Sequence, residues 1–289
     1  YDISEEGGSP TLAYTSSVIN SGEIFVSKFR NYTFIYSDSG GSDYYDGTTW
    51  GTTTYSFPPG KSPLGGTSYK NRHYFIFKDS ASYGYSNIDA VSGTVTEVDL
   101  GGIIAERANL WCIAPITLSN EVSSTQLLAF VFSSGEVLFY SGRYPDSADW
   151  SVVGTGNISI PLNYNSMISP YRGDSLIACR NGLYSLRDLF LRGSQEAADM
   201  AISWPITPDW IAITSKWVES SMLTADPPIR LSYVGVEWWK AKNRLLVSLP
   251  FYINSSGALT NGISYFVYDT LRKTWMQHRS FGTEGGNPP

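Results

Sequence analysis

Along most of this chain apolar and polar residues alternate with the period of two that belongs to half-buried strands. Gly22–Val26, Tyr32–Tyr36, His73–Phe77, Thr94–Leu100, Gln126–Phe132, Glu136–Tyr140, Asn157–Ile160, Ser175–Cys179, Leu183–Leu186, Leu245–Leu249 and Tyr265–Asp269 all predict strands. Within Thr94–Leu100 the alternation sets Val95 on one face and Thr94, Thr96 and Val98 on the other. The runs are short and end on turn residues. Ser133-Ser134-Gly135 predicts a hairpin turn, and Asn181-Gly182 between two apolar runs predicts a type I′ hairpin. The proline-rich stretch 58–63 closes a unit, because proline cannot donate to a central ladder.

One feature of this pattern repeats. A short turn carrying an aromatic and a basic residue leads into a strand at Phe29-Arg30-Asn31, at Tyr69-Lys70-Asn71-Arg72, at Tyr171-Arg172-Gly173-Asp174 and at Trp239–Arg244. Self-similarity over tens of residues marks a repeated supersecondary unit. The order of parts is basic turn, strand, hairpin, strand and a loop ending on tryptophan. It predicts an all-β fold, a degenerate β-propeller of about five to six blades, with a sandwich or stacked jelly rolls as the alternative. Residues 1–13 form an extended lead-in, 14–281 the propeller-like domain, and 282–289 a flexible tail. Residues 188–225 break the pattern as a mixed insertion between blades. There Ser194 caps a predicted helix over 194–200, and Trp204, Trp210 and Trp217 form a candidate interface.

Composition agrees with the strands. Aromatic residues make up 15% and charged residues only 16%, with 20 Tyr and 27 Gly among 289 residues, which favours pleated surfaces and tight turns over helices. The net charge of −6, with no run of Lys and Arg, disfavours stable nucleic-acid binding, which needs a basic face. An acidic conduit that DNA slides past remains compatible with it. No segment approaches the roughly 18 apolar residues of a membrane span, and no signal peptide is visible. Cys112 and Cys179 each sit in an apolar stretch and read as buried free thiols ahead of a disulfide.

Little of the chain points to catalysis. Asp38, Asp43 and Asp46 supply carboxyls for a glycosidase pair, but the same residues suit a turn-forming loop. The segments from Ser37 to Trp50 and from Ser141 to Trp150 resemble the Asp-box hairpin of sialidase propellers without its full pattern. His73 and His278 lie far apart, so neither a metal site nor a Ser-His-Asp arrangement is indicated. Gly60-Lys61-Ser62 lacks the glycine spacing of a phosphate loop and runs into Pro63. No catalytic residue, cofactor or metal is expected. Trp50 and Trp150, with Asp149, are candidate glycan contacts, since tryptophan offers a flat apolar face with a polar edge. The same tryptophans also suit a blade core or a subunit interface.

Three phrases carry a family resemblance. They are Val137–Gly142 with Asp146–Trp150, Gly173–Ala178 running into Asn181–Tyr184, and Tyr265–Asp269 with Lys273-Thr274-Trp275. Together they look similar to propeller units in the tail nozzle (tail tubular or hub) proteins of short-tailed bacteriophages, in style over about residues 14 to 276. That resemblance implies a structural virion protein, assembled in the host cytoplasm into a homo-oligomeric, commonly sixfold ring at the distal end of the tail. It implies contacts with other tail proteins, transient passage of DNA and no catalytic residues. The alternative is a carbohydrate- or receptor-binding propeller of lectin type, followed by a propeller glycosidase.

Overall fold

The structure is a computed structural model that describes residues 14–16, 24–37, 41–52, 55–119, 124–162, 168–194, 201–221, 235–253 and 259–281. The predicted helix at 194–200, the lead-in and the tail lie almost wholly outside these residues, as does Asp38. The chain divides into two compact units, Tyr1–Lys78 with Tyr83–Val98, and Asp79–Ser82 with Asp99–Pro289.

In the first unit β1 (Ile24–Phe29), β2 (Tyr32–Ser37), β3 (Ser42–Tyr45) and β4 (Trp50–Thr52) form an antiparallel meander in that order. Alternation along β1 buries Phe25, Ser27 and Phe29 and exposes Ile24, Val26 and Lys28. A short β5 (Tyr55–Ser56) follows. The second sheet contains β6 (Pro63–Tyr69), β7 (Arg72–Phe77), β8 (Ser82–Tyr85) and β10 (Thr96–Asp99), while β9 (Gly93–Thr94) pairs in parallel with β5. Every residue of β7 is buried, as befits a strand inside its sheet with both faces covered. Val95 is buried and Thr94 and Thr96 are exposed, as the alternation predicts.

The second unit opens with β11 (Leu110–Ser119), β12 (Ser124–Phe132), β13 (Glu136–Ser141) and β14 (Ser151–Asn157), again a meander. A three-stranded sheet follows, from β15 (Ile168–Tyr171), β16 (Asp174–Cys179) and β17 (Gly182–Ser185). After helices α1 (Leu186–Arg192) and α2 (Thr207–Ser221), the last meander is β18 (Gly235–Trp239), β19 (Arg244–Ile253), β20 (Leu259–Asp269) and β21 (Thr274–Phe281). Within each unit the first strands of successive sheets are neighbours, β1 beside β6 and β15 beside β18. The fold class is all-β and propeller-like, small antiparallel sheets with a helical insertion. No helix among the described residues is long and apolar enough to cross a membrane.

The insertion does structural work. Among the described residues this sheet has three strands, and residues 202–203 cover the edge of β17. Ile202 N–H donates to Leu183 O at 3.1 Å, and Leu183 N–H donates to Ser203 Oγ at 2.8 Å. Covering an edge in this way satisfies backbone groups that would otherwise template aggregation. Helix α1 begins where Ser185 Oγ accepts the Asp188 N–H, and α2 begins with Pro208 and Asp209 in its first turn. Trp210, Ile213 and Thr214, spaced by three and four, form its buried stripe.

One hairpin differs from its sequence reading. The turn between β16 and β17 is Arg180-Asn181, closed by Cys179 opposite Gly182, rather than Asn181-Gly182. Gly182 is instead the first strand residue, at φ +150°, and a Cβ there would stand 2.3 Å from Ser203 Oγ. The glycine is required by that close approach.

Candidate functional site

In a four-stranded meander the turn between strands one and two and the turn between strands three and four fall at the same end. That end collects what the sequence scatters. All four aromatic–basic turns join a first strand to a second: β1 to β2, β6 to β7, β15 to β16 and β18 to β19. Left-handed backbone tightens them at Arg30, Lys70, Asn71, Arg172 and Asn243. The cation folds back over the preceding ring, Arg30 5.8 Å above Phe29, Lys70 5.1 Å above Tyr69 and Arg172 5.3 Å above Tyr171.

In the sheets β1–β4, β11–β14 and β18–β21 the turn between third and fourth strands shares a second device, an aspartate that ties the loop and a tryptophan that follows it. Asp46 Oδ1 accepts the Thr48 and Thr49 N–H groups at 2.8 and 2.7 Å, and Trp50 then packs on Tyr45 at 4.9 Å. Asp149 accepts the Arg143 N–H and the Ser147 hydroxyl, and Trp150 stacks on Tyr140 at 5.2 Å. Asp269 Oδ1 accepts the Leu271 and Arg272 N–H groups at 3.0 Å, and Trp275 packs on Tyr268 at 5.0 Å. These bonds favour the ionised carboxylates and lower all three pKa values. The Thr49 backbone bond leads at Asp46, the Ser147 hydroxyl at Asp149 and the Arg272 backbone bond at Asp269. The two kinds of turn touch. Asn31 Nδ2 donates to Asp46 O at 3.2 Å in the first sheet, and Thr270 N–H and its hydroxyl both donate to Asn243 O in the last.

The residues singled out from sequence separate accordingly. Trp150 and Asp149 share one turn in the second unit. Trp50 belongs to the first unit, and Tyr14 lies flat on it at 5.2 Å and 7°, so a sugar ring meets Trp50 only by moving Tyr14. The three interface candidates part company. Trp204 is 64% exposed, whereas Trp210 is fully buried, its indole N–H donating to Cys179 O at 2.9 Å and its ring beside Phe266. Trp210 is therefore a core anchor, not a contact residue. Trp217 lies on α2, and its side chain is outside the described part.

The glycosidase pair fares poorly. Asp43 is buried, and Asp46 engages both oxygens within its own turn. One polar pair escaped the sequence reading. Ser27 Oγ lies 2.9 Å from His73 Nε2, joining β1 to β7 across 46 residues of chain. Phe29, Phe34, Tyr36, Tyr55 and Phe75 surround the imidazole. Among the described residues Nδ1 has no hydrogen-bond partner, and burial depresses the ring's pKa to about 3. A serine nucleophile needs a base oriented by an acid and open to substrate. This pair has neither and serves as a lock. Nothing in the local sequence marks Ser27, one serine among many.

Cys112 and Cys179 are buried and not joined in a disulfide, and burial pushes both thiols up, so neither is primed as a nucleophile. Among the described residues no three His, Cys, Asp or Glu side chains cluster to hold a metal ion.

No protein-family model and no curated protein matches the chain. Among solved structures it is similar to YCF48 bound to D1 peptide, with TM-score 0.50 and 12% identity over 92% of this chain and 73% of that one. It also aligns with the computationally designed Ika8 protein, with TM-score 0.44 and 9% identity over 88% of this chain and 61% of that protein. A third is the glutaminyl cyclase of Myxococcus xanthus, with TM-score 0.39 and 11% identity over 87% of this chain and 93% of the cyclase. The chain thus spans about three fifths of the designed protein's length. Only the first of these likenesses bears on the fold, and none bears on activity.

Proposed function

We propose that this chain is a non-catalytic recognition propeller of the carbohydrate- or receptor-binding kind. The observation that carries this reading is the turn end of its sheets, where tryptophans and charged side chains stand on loops already fixed by aspartate hydrogen bonds. A ligand meeting such loops loses little free energy in ordering them. Trp150, half-buried on Tyr140, offers a ring for stacking beside the exposed Asp149, whose carboxylate keeps lone pairs for hydroxyls beyond its bonds within the turn. The test is a glycan array probed with the full chain and with Trp150→Ala, alongside a peptide array, since YCF48 was solved with a peptide bound. A defined set of sugars bound by the wild type and weakened about tenfold in the variant supports the reading. Blank sugars with a positive peptide array would move the function to protein recognition, and two blank arrays would sink it.

A second reading, a ring-forming tail nozzle subunit of a short-tailed phage, is favoured by apolar side chains left in water. Trp204 projects from the insertion, and Ile24 and Val26 are exposed on β1. Such surfaces suit subunit contacts, and the net charge of −6 suits a channel that DNA passes without sticking. Negative-stain images decide it: rings around a channel support the nozzle, and dispersed monomers at micromolar concentration remove it.

A further inference from the structure

The chain as a whole is acidic, yet one end of its last sheet is not. A single row crosses all four strands there, Trp239 opposite Arg244, Arg244 opposite Asp269 and Asp269 opposite Thr274. The two turns beyond that row carry Lys240 and Lys242 on one side and Arg272 and Lys273 on the other. Residues 239–244 and 269–274 therefore hold five cations and one carboxylate. That carboxylate is committed, since Asp269 holds its own turn and faces the charges of Arg272 and Arg244. Lys240, Lys242 and Lys273 are exposed, with no ion-pair partner among the described residues. Glu237, also exposed, stands two residues down β18. The two turns are tied together, because Thr270 donates twice to Asn243 O. Trp239 stands in the row at 45% exposure.

We infer that these hydrogen-bonded turns bind an acidic saccharide, one bearing carboxylate or sulfate groups. This deepens the recognition reading above by giving it a ligand class. Lys240, Lys242 and Lys273 meet the anionic groups as mobile point charges, and Arg272 offers a planar fork for two oxygens of one carboxylate or sulfate. Trp239 supplies a ring on which a sugar stacks. The side chains of Asn243 and Thr274 lie among the cations and are of the kind that bonds sugar hydroxyls. The net negative charge does not oppose this. At physiological salt the field of remote carboxylates is screened beyond about 8 Å, so the nearest charges decide. A duplex or a membrane calls for a broader basic surface than one sheet end provides, and neither needs the amide and hydroxyl groups present.

The experiment measures binding of the full chain to heparin (sulfated), polygalacturonate (carboxylated) and neutral dextran, with duplex DNA and phosphatidylserine vesicles as competing arms. The expected result is salt-sensitive binding to one or both acidic polymers. It falls about tenfold or more in Lys240→Glu/Lys242→Glu, in Arg272→Glu/Lys273→Glu and in Trp239→Ala, with unchanged melting curves. The sulfated and carboxylated arms tell which anion is read. Affinity within about twofold in both charge reversals overturns the inference, as does tighter binding to DNA or vesicles than to either glycan. Neutral-glycan binding that Trp150→Ala abolishes and the charge reversals spare leaves the recognition reading standing and removes this one. Acidic-glycan binding that the reversals abolish and Trp150→Ala spares supports both readings and moves the site from Trp150 to the last sheet. If no glycan is retained, this inference falls and the recognition reading rests on the peptide array alone.

Discussion

The first and last sheets are built alike and behave as chemical opposites. Each is a four-stranded meander with a cation-bearing first turn, an aspartate-tied second turn and a Tyr–Trp pair. In the first sheet the cation is spent: Arg30 forms an ion pair with Asp89. In the last, three lysines of the turn end stand without such partners among the described residues. The anchors differ too. The first sheet is fastened by Ser27 to His73, a group that titrates, and the last by Phe266 to Trp210, a group that does not. Backbone geometry thus constrains where the turns fall and leaves their chemistry free.

The comparison breaks first at the anchor of the last sheet. Trp210→Ala removes a fully buried ring and its bond to Cys179 O, and should cost about 3–5 kcal/mol in denaturant melts. Hydrogen exchange should place the loss in β16–β21 and leave β1–β4 protected. Uniform loss would mean that the two sheets do not have independent anchors.

Acid should do the reverse. His73 is held neutral with a folded pKa of about 3, below the unfolded value near 6.5, so its contribution is complete above pH 6.5 and is lost as pH falls toward 3. The expected loss from pH 7 to 4 is roughly 3 kcal/mol, read by exchange in β1 and β7. Asp46 and Asp269 both have lowered values and lose stabilisation in the same direction, so they affect both sheets and leave His73 as the difference. His73→Phe should flatten the pH profile of the first sheet, and a profile unchanged by that substitution would refute the lock.

Gly182→Ala should come next, at about 1–3 kcal/mol, because its Cβ would press on Ser203 and loosen the segment that covers β17. The smallest effect is at the first sheet's turn. Arg30→Ala should change stability by no more than about 0.5 kcal/mol, since the exposed pair with Asp89 is solvated and screened. A larger loss would make that turn a structural element unlike its counterpart in the last sheet.

Much of the fold was legible because strands and turns are local. Alternation placed β1, β2 and β7, and the aromatic–basic turns proved to be one topological element repeated. The helix at 207–221 was not singled out within the mixed insertion; Pro208 sits in its first turn, where its missing N–H costs nothing. The paired function of the Asp–Trp turns showed only in part, as an Asp-box resemblance, since their spacing differs each time: four residues from Asp46, one from Asp149 and six from Asp269.

By itself the sequence determined the local preferences: period-two strands, turn residues and an all-β class, each set by interactions within a few residues. Only tertiary structure decided which tryptophan became core, because Trp204 and Trp210 differ in neighbours rather than in local text. Only it brought Ser27 to His73. It also gathered Lys240, Lys242, Arg272 and Lys273 at one sheet end, a basic patch that no window of an acidic chain displays. Antiparallel pairing makes residues some thirty positions apart adjacent, and charge acts through space rather than along the chain.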